Sequence, residues 1–148
     1  MYQKAKNSWI KHIDFVILDI LCLQVSFFLA YLVRHRNLNL YSNSVYGNLA
    51  IVLILIDVCM MFFLNTCKNV LKRGLLIELA ATMRQVSLVI LFAVFYLFFV
   101  KDAGDFSRIT LFLTAIFYAI ISYGTRILWK RHVSVSYTHL TLPTNREV

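Results

Sequence analysis

Four long apolar runs constrain this chain more than anything else in it. A helix crosses a bilayer with about 20 mostly apolar residues, in a working range of about 17–25. The runs are residues 15–33 (FVILDILCLQVSFFLAYLV), 49–64 (LAIVLILIDVCMMFFL), 85–100 and 109–125. Asp19 alone interrupts the first and Asp57 alone the second. The third has no charge between Arg84 and Lys101, and the fourth lies between Arg108 and Arg126. These last two are short, and flanking Arg and Lys stems make up the length by snorkelling. Residues 1–134 contain no proline, and Gly47, Gly74 and Gly104 fall between the runs, where turns are wanted. Continuous helices follow, and with them an all-α integral membrane four-helix bundle.

Composition supports the same class. Apolar residues make up 60% and charged residues 15% of the 148, against about 45–50% and about 25% in soluble domains. A soluble enzyme is excluded by that excess. Four glycines, one proline and three cysteines exclude a collagen-like chain, a disordered one and a disulfide scaffold.

Lys and Arg near the span ends set orientation. Ten lie at the N-terminus (Lys4, Lys6, Lys11), in the middle segment (Lys68, Lys72, Arg73, Arg84) and after the fourth run (Arg126, Lys130, Arg131). The other two connections hold four: Arg34, Arg36, Lys101 and Arg108. Both termini are therefore expected in the cytoplasm, with Trp9 and Trp129 at the inner interface. The net charge of +8 flanks spans instead of forming a soluble patch. It points to anionic lipid as partner, not to nucleic acid. The first run is too long for a signal-peptide core and carries Asp19, so it reads as a retained anchor.

Between the second and third runs, residues 67–85 read CKNVLKRGLLIELAATMRQ. Leu71, Leu75, Leu79 and Met83 recur at helical spacing, and Glu78, Thr82 and Gln85 share another side. The favoured reading is an amphipathic helix in the inner interface, with Lys72, Arg73 and Arg84 turned to lipid headgroups. Lys130, past the fourth run, is a further headgroup candidate. The alternative is a cytoplasmic continuation of the third helix.

Asp19 and Asp57 are the sharpest residues. A carboxylate within a span costs about 2.5–3.5 kcal/mol on insertion scales and so faces the bundle interior. Asp19 shares a helical stripe with Cys22, Ser26 and Ala30; Ala115, Ala119, Ser122 and Arg126 form another on the fourth run. Asp19, or Asp14 just outside it, is expected to pair with Arg126. Asp57 has no cation at its depth and is expected to be neutral or hydrogen-bonded to a hydroxyl such as that of Tyr118. Packing and assembly is the favoured role for both aspartates, with ion or proton coupling as the alternative. Cys22, Cys59 and Cys67 lack ligand spacing, the histidines are scattered, and no catalytic, cofactor or metal motif is present. The aromatic run Phe92, Phe95, Tyr96, Phe98 and Phe99 reads as lipid-facing bulk.

Residues 135–144, VSYTHLTLPT, contain the sole proline and resemble one reading frame of a common sequencing-library adapter. Residues 135–148 are accordingly expected to be a non-native tail, with the four-span unit ending near Ser134.

Three stretches carry a resemblance to a family. LDILCLQVSFFLAYLVR resembles the opening helix of bacterial polyprenyl-phosphate sugar-1-phosphate transferases. KNVLKRGLLIELAATMRQVSLVILFAVFYLF, with Arg73-Gly74 and then Glu78-Leu79, resembles the entry into their third helix. FSRITLFLTAIFYAIISYGTRILWKR resembles the fourth, with Phe106-Ser107-Arg108 at its start and Arg126 to Lys130 at its exit. The resemblance covers residues 10–132 in order. It implies the membrane-anchoring module of an enzyme that moves sugar-1-phosphate from a UDP-sugar to undecaprenyl phosphate in capsule or exopolysaccharide synthesis. The implied setting is the bacterial inner membrane, with lipid, undecaprenyl phosphate and a second copy of the chain as partners. The family's catalytic domain, with its acidic nucleophile and magnesium, has no counterpart in these residues, so this chain is expected to be non-catalytic.

Two other readings stay open. A four-helix proton-coupled small-molecule exporter would use an acidic residue in its first span, as Asp19 is. A flippase accessory protein for lipid-linked sugars would share the composition.

Overall fold

The computed structural model describes the backbone of residues 2–36, 38–39, 43–64, 74–100, 104 and 106–141, and among these the side chains from 13 to 135. Its regular elements are four helices: α1 (Tyr2–His35), α2 (Ser44–Leu64), α3 (Leu75–Phe99) and α4 (Arg108–Thr141). Each contains a stretch long and apolar enough to cross a membrane: Ile13–His35, Ser44–Leu64, Leu75–Phe99 and Arg108–Val135. In lipid the backbone must satisfy its own hydrogen bonds, and a continuous helix does so. This is a multi-pass helical membrane protein.

Each helix packs on its neighbours in the chain, and α4 closes the ring against α1 along the most extensive contact. Side-chain contacts fix the directions. Near one end, the end of α1 meets the first turn of α2 and the residues leading into α4: Tyr46 packs edge-on at 5.1 Å from Tyr31 and tilted at 4.9 Å from Phe106. Near the other, Lys130 late in α4 reaches Glu78 early in α3, and Trp129 packs edge-on against Phe15 at 5.8 Å. The helices therefore run alternately up and down. Arg36, in the left-handed region at φ 53°, ends α1 while its N–H reaches back to the Leu32 carbonyl at 2.9 Å.

The span limits differ from those read off the charges. α3 begins at Leu75, ten residues before the expected start, and the fourth span runs past Arg126. Glu78 and Arg126 are buried, because each neutralises the other inside the bundle, and so do not mark the membrane edge. Gly47, expected in a turn, lies in the first turn of α2.

The expected interfacial helix is also corrected. Leu75–Gln85 is the first part of α3, unbroken from the span that follows, and the rest of that segment lies outside the described residues. At 25 residues α3 is about 37 Å long at about 1.5 Å per residue, enough for a hydrocarbon core of about 30 Å. Both stripes read from the sequence are present from Leu75 on, Leu71 lying outside the described residues, and the polar one faces the bundle interior. Leu75, Leu79 and Met83 are exposed, while Glu78, Thr82 and Gln85 are buried.

The interior changes character along its length. Toward the His35 end it is aromatic, with Phe27, Tyr31, Tyr46 and Phe106 buried. An aliphatic layer of Leu23, Leu49, Leu53, Val86 and Val89 follows. Below that layer the core becomes polar. Most of the outer surface is apolar: Phe92, Phe95, Phe98 and Phe99 are all exposed, as bulk facing lipid should be.

Candidate functional site: a buried polar network

All four helices contribute to one hydrogen-bonded network. Arg126 of α4 is its cation, with 1% of the side chain exposed. Its Nη1 lies 3.3 Å from Glu78 Oε1 and its Nη2 lies 3.5 Å from Asp19 Oδ1. Nη2 also donates to Gln85 Oε1 at 2.7 Å. The guanidinium carbon sits 5.1 Å over the Phe15 ring, a cation–π contact that desolvation strengthens. Lys130, one helical turn further along α4, donates to Glu78 Oε2 at 3.0 Å.

Gln85 is the hub. A guanidinium has no acceptor, so the short contact with Arg126 fixes which way the Gln85 amide points. The carbonyl faces Arg126 and the NH2 faces two carboxyls. Nε2 lies 2.6 Å from Asp19 Oδ2 and 3.0 Å from Asp57 Oδ1. Tyr118 mirrors it from α4, with its hydroxyl 2.9 Å from each of the same two oxygens. Ser122, one turn on, donates to Asp19 Oδ1 at 2.8 Å. Helical spacing produces this convergence: Tyr118, Ser122 and Arg126 recur every four residues down one face of α4, and Glu78, Thr82 and Gln85 do nearly the same on α3.

Three buried polar atoms in the described residues have no partner: Asp57 Oδ2, Arg126 Nε and Thr110 Oγ1. Secondary contacts tie the small residues in. Cys22 Sγ donates to Thr125 Oγ1 at 3.4 Å, and Ser26 and Thr114 return their hydroxyl protons to backbone carbonyls one turn earlier.

Of the residues singled out from the sequence, the structure brings Asp19, Asp57 and Arg126 into this one network. Asp19 meets Arg126 directly, and Asp14 is exposed. Asp57 is linked to the cation through Gln85 and through Tyr118 and Asp19, and Tyr118 is its hydroxyl partner. Arg84 is exposed, as a headgroup contact requires. Lys72 and Arg73 lie outside the described residues. Lys130, expected to turn to headgroups, is instead drawn inward, with 14% of its side chain exposed beside Glu78.

Sequence reasoning missed Glu78 and Gln85 as members. Their shared face with Thr82 was the available signal. Among the described residues no group of His, Cys, Asp and Glu could hold a metal ion. Chemically, the arrangement can hold helices in register and can hold protons. No family model, no curated protein and no solved structure matches the chain.

Proposed function

We propose that this chain is the membrane-anchoring module of a bacterial polyprenyl-phosphate sugar-1-phosphate transferase. In that role both termini face the cytoplasm, and the module holds a catalytic region against the inner leaflet, where the lipid phosphate lies. Tethering raises the local concentration of enzyme at its membrane-bound acceptor. Undecaprenyl phosphate, anionic lipid and a second copy of the chain are the partners this role implies. Magnesium belongs to the catalytic region.

One observation supports the reading above others. The three separate stretches that resemble the family each supply members of the same network. Asp19 comes from the first, Glu78 and Gln85 from the second, and Tyr118, Ser122 and Arg126 from the third. Residues up to 107 positions apart in sequence thus meet in one lock, and the polar residues the resemblance covers acquire a common physical task. A locked bundle with an apolar exterior suits a platform.

The test is genetic and biochemical. Sequencing the gene past codon 134 in an independent clone should show an open frame running into a cytoplasmic sugar-transferase domain. Deleting residues 1–134 from that longer protein should lower membrane-dependent sugar-phosphate transfer. A stop codon directly after the module, or full activity without it, would refute the proposal.

The buried Asp19–Asp57 pair favours a second reading, a proton-coupled exporter. That reading requires transport that disappears in Asp19→Asn.

A further inference from the structure

We propose that two copies of this chain pair in the membrane across the outer edge of α1 and α2, joined at mid-depth by the side-chain amides of Gln24. The anchoring role already calls for a second copy. This inference names its face, rests on Gln24 rather than on that role, and stands if the role fails.

The buried network leaves Gln24 out, although its depth is the least hospitable in the membrane. It lies midway between Ile13 and His35, the limits of the first span, about 16 Å from either end at about 1.5 Å per residue. Half of a hydrocarbon core of about 30 Å is about 15 Å, so neither water nor a headgroup lies at that level. Gln24 is half-buried. Leu21 and Phe28, one turn to either side of it, are exposed, as is Ile51 on α2.

One contact fixes which way the amide points. Nε2 donates to the Ala50 carbonyl of α2 at 3.0 Å. A carbonyl only accepts, so the NH2 faces α2 and Oε1 is turned away from that bond. Among the described residues no donor meets Oε1. Nor is this oxygen enclosed, because the buried side-chain atoms without a partner belong to Asp57, Thr110 and Arg126. Gln24 Oε1 therefore opens out of the bundle into hydrocarbon, where a polar group without a partner is costly. One of the two amide hydrogens is left over as well.

A partner for this edge must bring one donor and one acceptor to the middle of the bilayer. The same amide on a second copy brings both. Copies insert with one orientation, so a two-fold axis relating them runs along the membrane normal and brings residues of equal depth together. Each amide then donates from Nε2 to Oε1 of the other, ringed by the exposed apolar side chains of α1 and α2. Hydrogen bonds between polar side chains of neighbouring helices are a recurrent means of association in lipid.

Energy transfer between labelled copies of the full chain, reconstituted over a series of lipid dilutions, tests the pairing. The wild type is expected to dimerise as the lipid is reduced. Gln24→Leu should weaken association about sevenfold, the loss of two reciprocal hydrogen bonds of average strength in membranes. Crosslinking keeps Gln24 in place and so separates pairing from any effect of that change on the fold. In a background with Cys22, Cys59 and Cys67 replaced, Leu21→Cys should form a disulfide between copies on oxidation. Ile120→Cys, exposed on α4, should not. A wild type that stays monomeric at every dilution, even one that meets a different membrane protein, would overturn the proposal. So would unchanged association in Gln24→Leu, or crosslinking at Ile120→Cys and not at Leu21→Cys.

Discussion

Gln85 presents its carbonyl to Arg126 at 2.7 Å and thereby aims its amide at the two intramembrane aspartates. One uncharged side chain on α3 thus connects the cation of α4 to carboxyls on α1 and α2. Its removal should be felt on all four helices. Interhelical hydrogen bonds in membranes average only about 0.6 kcal/mol. Gln85→Leu takes one hydrogen bond from each of Asp19, Asp57 and Arg126, which keep Ser122, Tyr118 and Glu78 as partners. A loss of about 2 kcal/mol is expected, three such bonds at about 0.6 kcal/mol each, in reversible unfolding in mixed micelles. A change near the single-bond average would remove Gln85 from the centre of the account.

The inward polar face of α3 makes a prediction about lipid contact. Leu76 is 81% exposed, whereas Thr82 and Val89 are 0% exposed. Spin labels at Leu76 and Leu91 should collide freely with oxygen dissolved in the bilayer, and labels at Thr82 and Val89 should not. An interfacial helix lying flat would instead protect the leucines unevenly and leave Thr82 open to aqueous relaxation agents.

Topology can be read at two glycines. A side chain at Gly74 or Gly104 would meet nothing within 4 Å, so cysteine fits at both. In a background with Cys22, Cys59 and Cys67 replaced, a membrane-impermeant thiol reagent should label Gly104→Cys in intact cells. Gly74→Cys should react only after permeabilisation. The opposite pattern would place the termini outside the cell.

These expectations separate what the chain announces from what it conceals. The Asp19–Arg126 pairing was legible, because each residue sits on a stripe of small side chains that could only face another helix. Asp57 beside a hydroxyl was legible for the same reason, since a span offers a carboxyl nothing else. Glu78 was not. A carboxylate at the edge of an apolar run reads as water-facing until its partner, 48 residues away, is known. The stripe of Glu78, Thr82 and Gln85 was visible, but its direction was not. In lipid the apolar face of a helix turns outward and the polar face inward, the reverse of a helix at a water interface. Gln85 carries no charge, so a search for intramembrane ions passes over it.

Lys130 and Arg126 should not be equivalent partners of Glu78. Arg126 is enclosed and also serves Asp19 and Gln85, while Lys130 retains some exposure. Lys130→Met should cost about 1 kcal/mol or less, as for a partly solvated pair. Arg126→Met should cost about 3–5 kcal/mol, because it leaves buried charge without a partner. Thermal or denaturant unfolding in detergent reads both, and equal losses would argue against the enclosed position of Arg126.

The central claim is that charges from separate helices hold the bundle together as a unit, and a double-mutant cycle between Asp19→Asn and Arg126→Gln tests it most directly. Unfolding free energies of the wild type, both single variants and the double variant in one lipid–detergent system give the coupling. The account predicts non-additivity of about 0.5–3 kcal/mol, with the double variant less damaged than the two single losses combined. Additivity within about 0.3–0.5 kcal/mol, the range for independent sites, would contradict it.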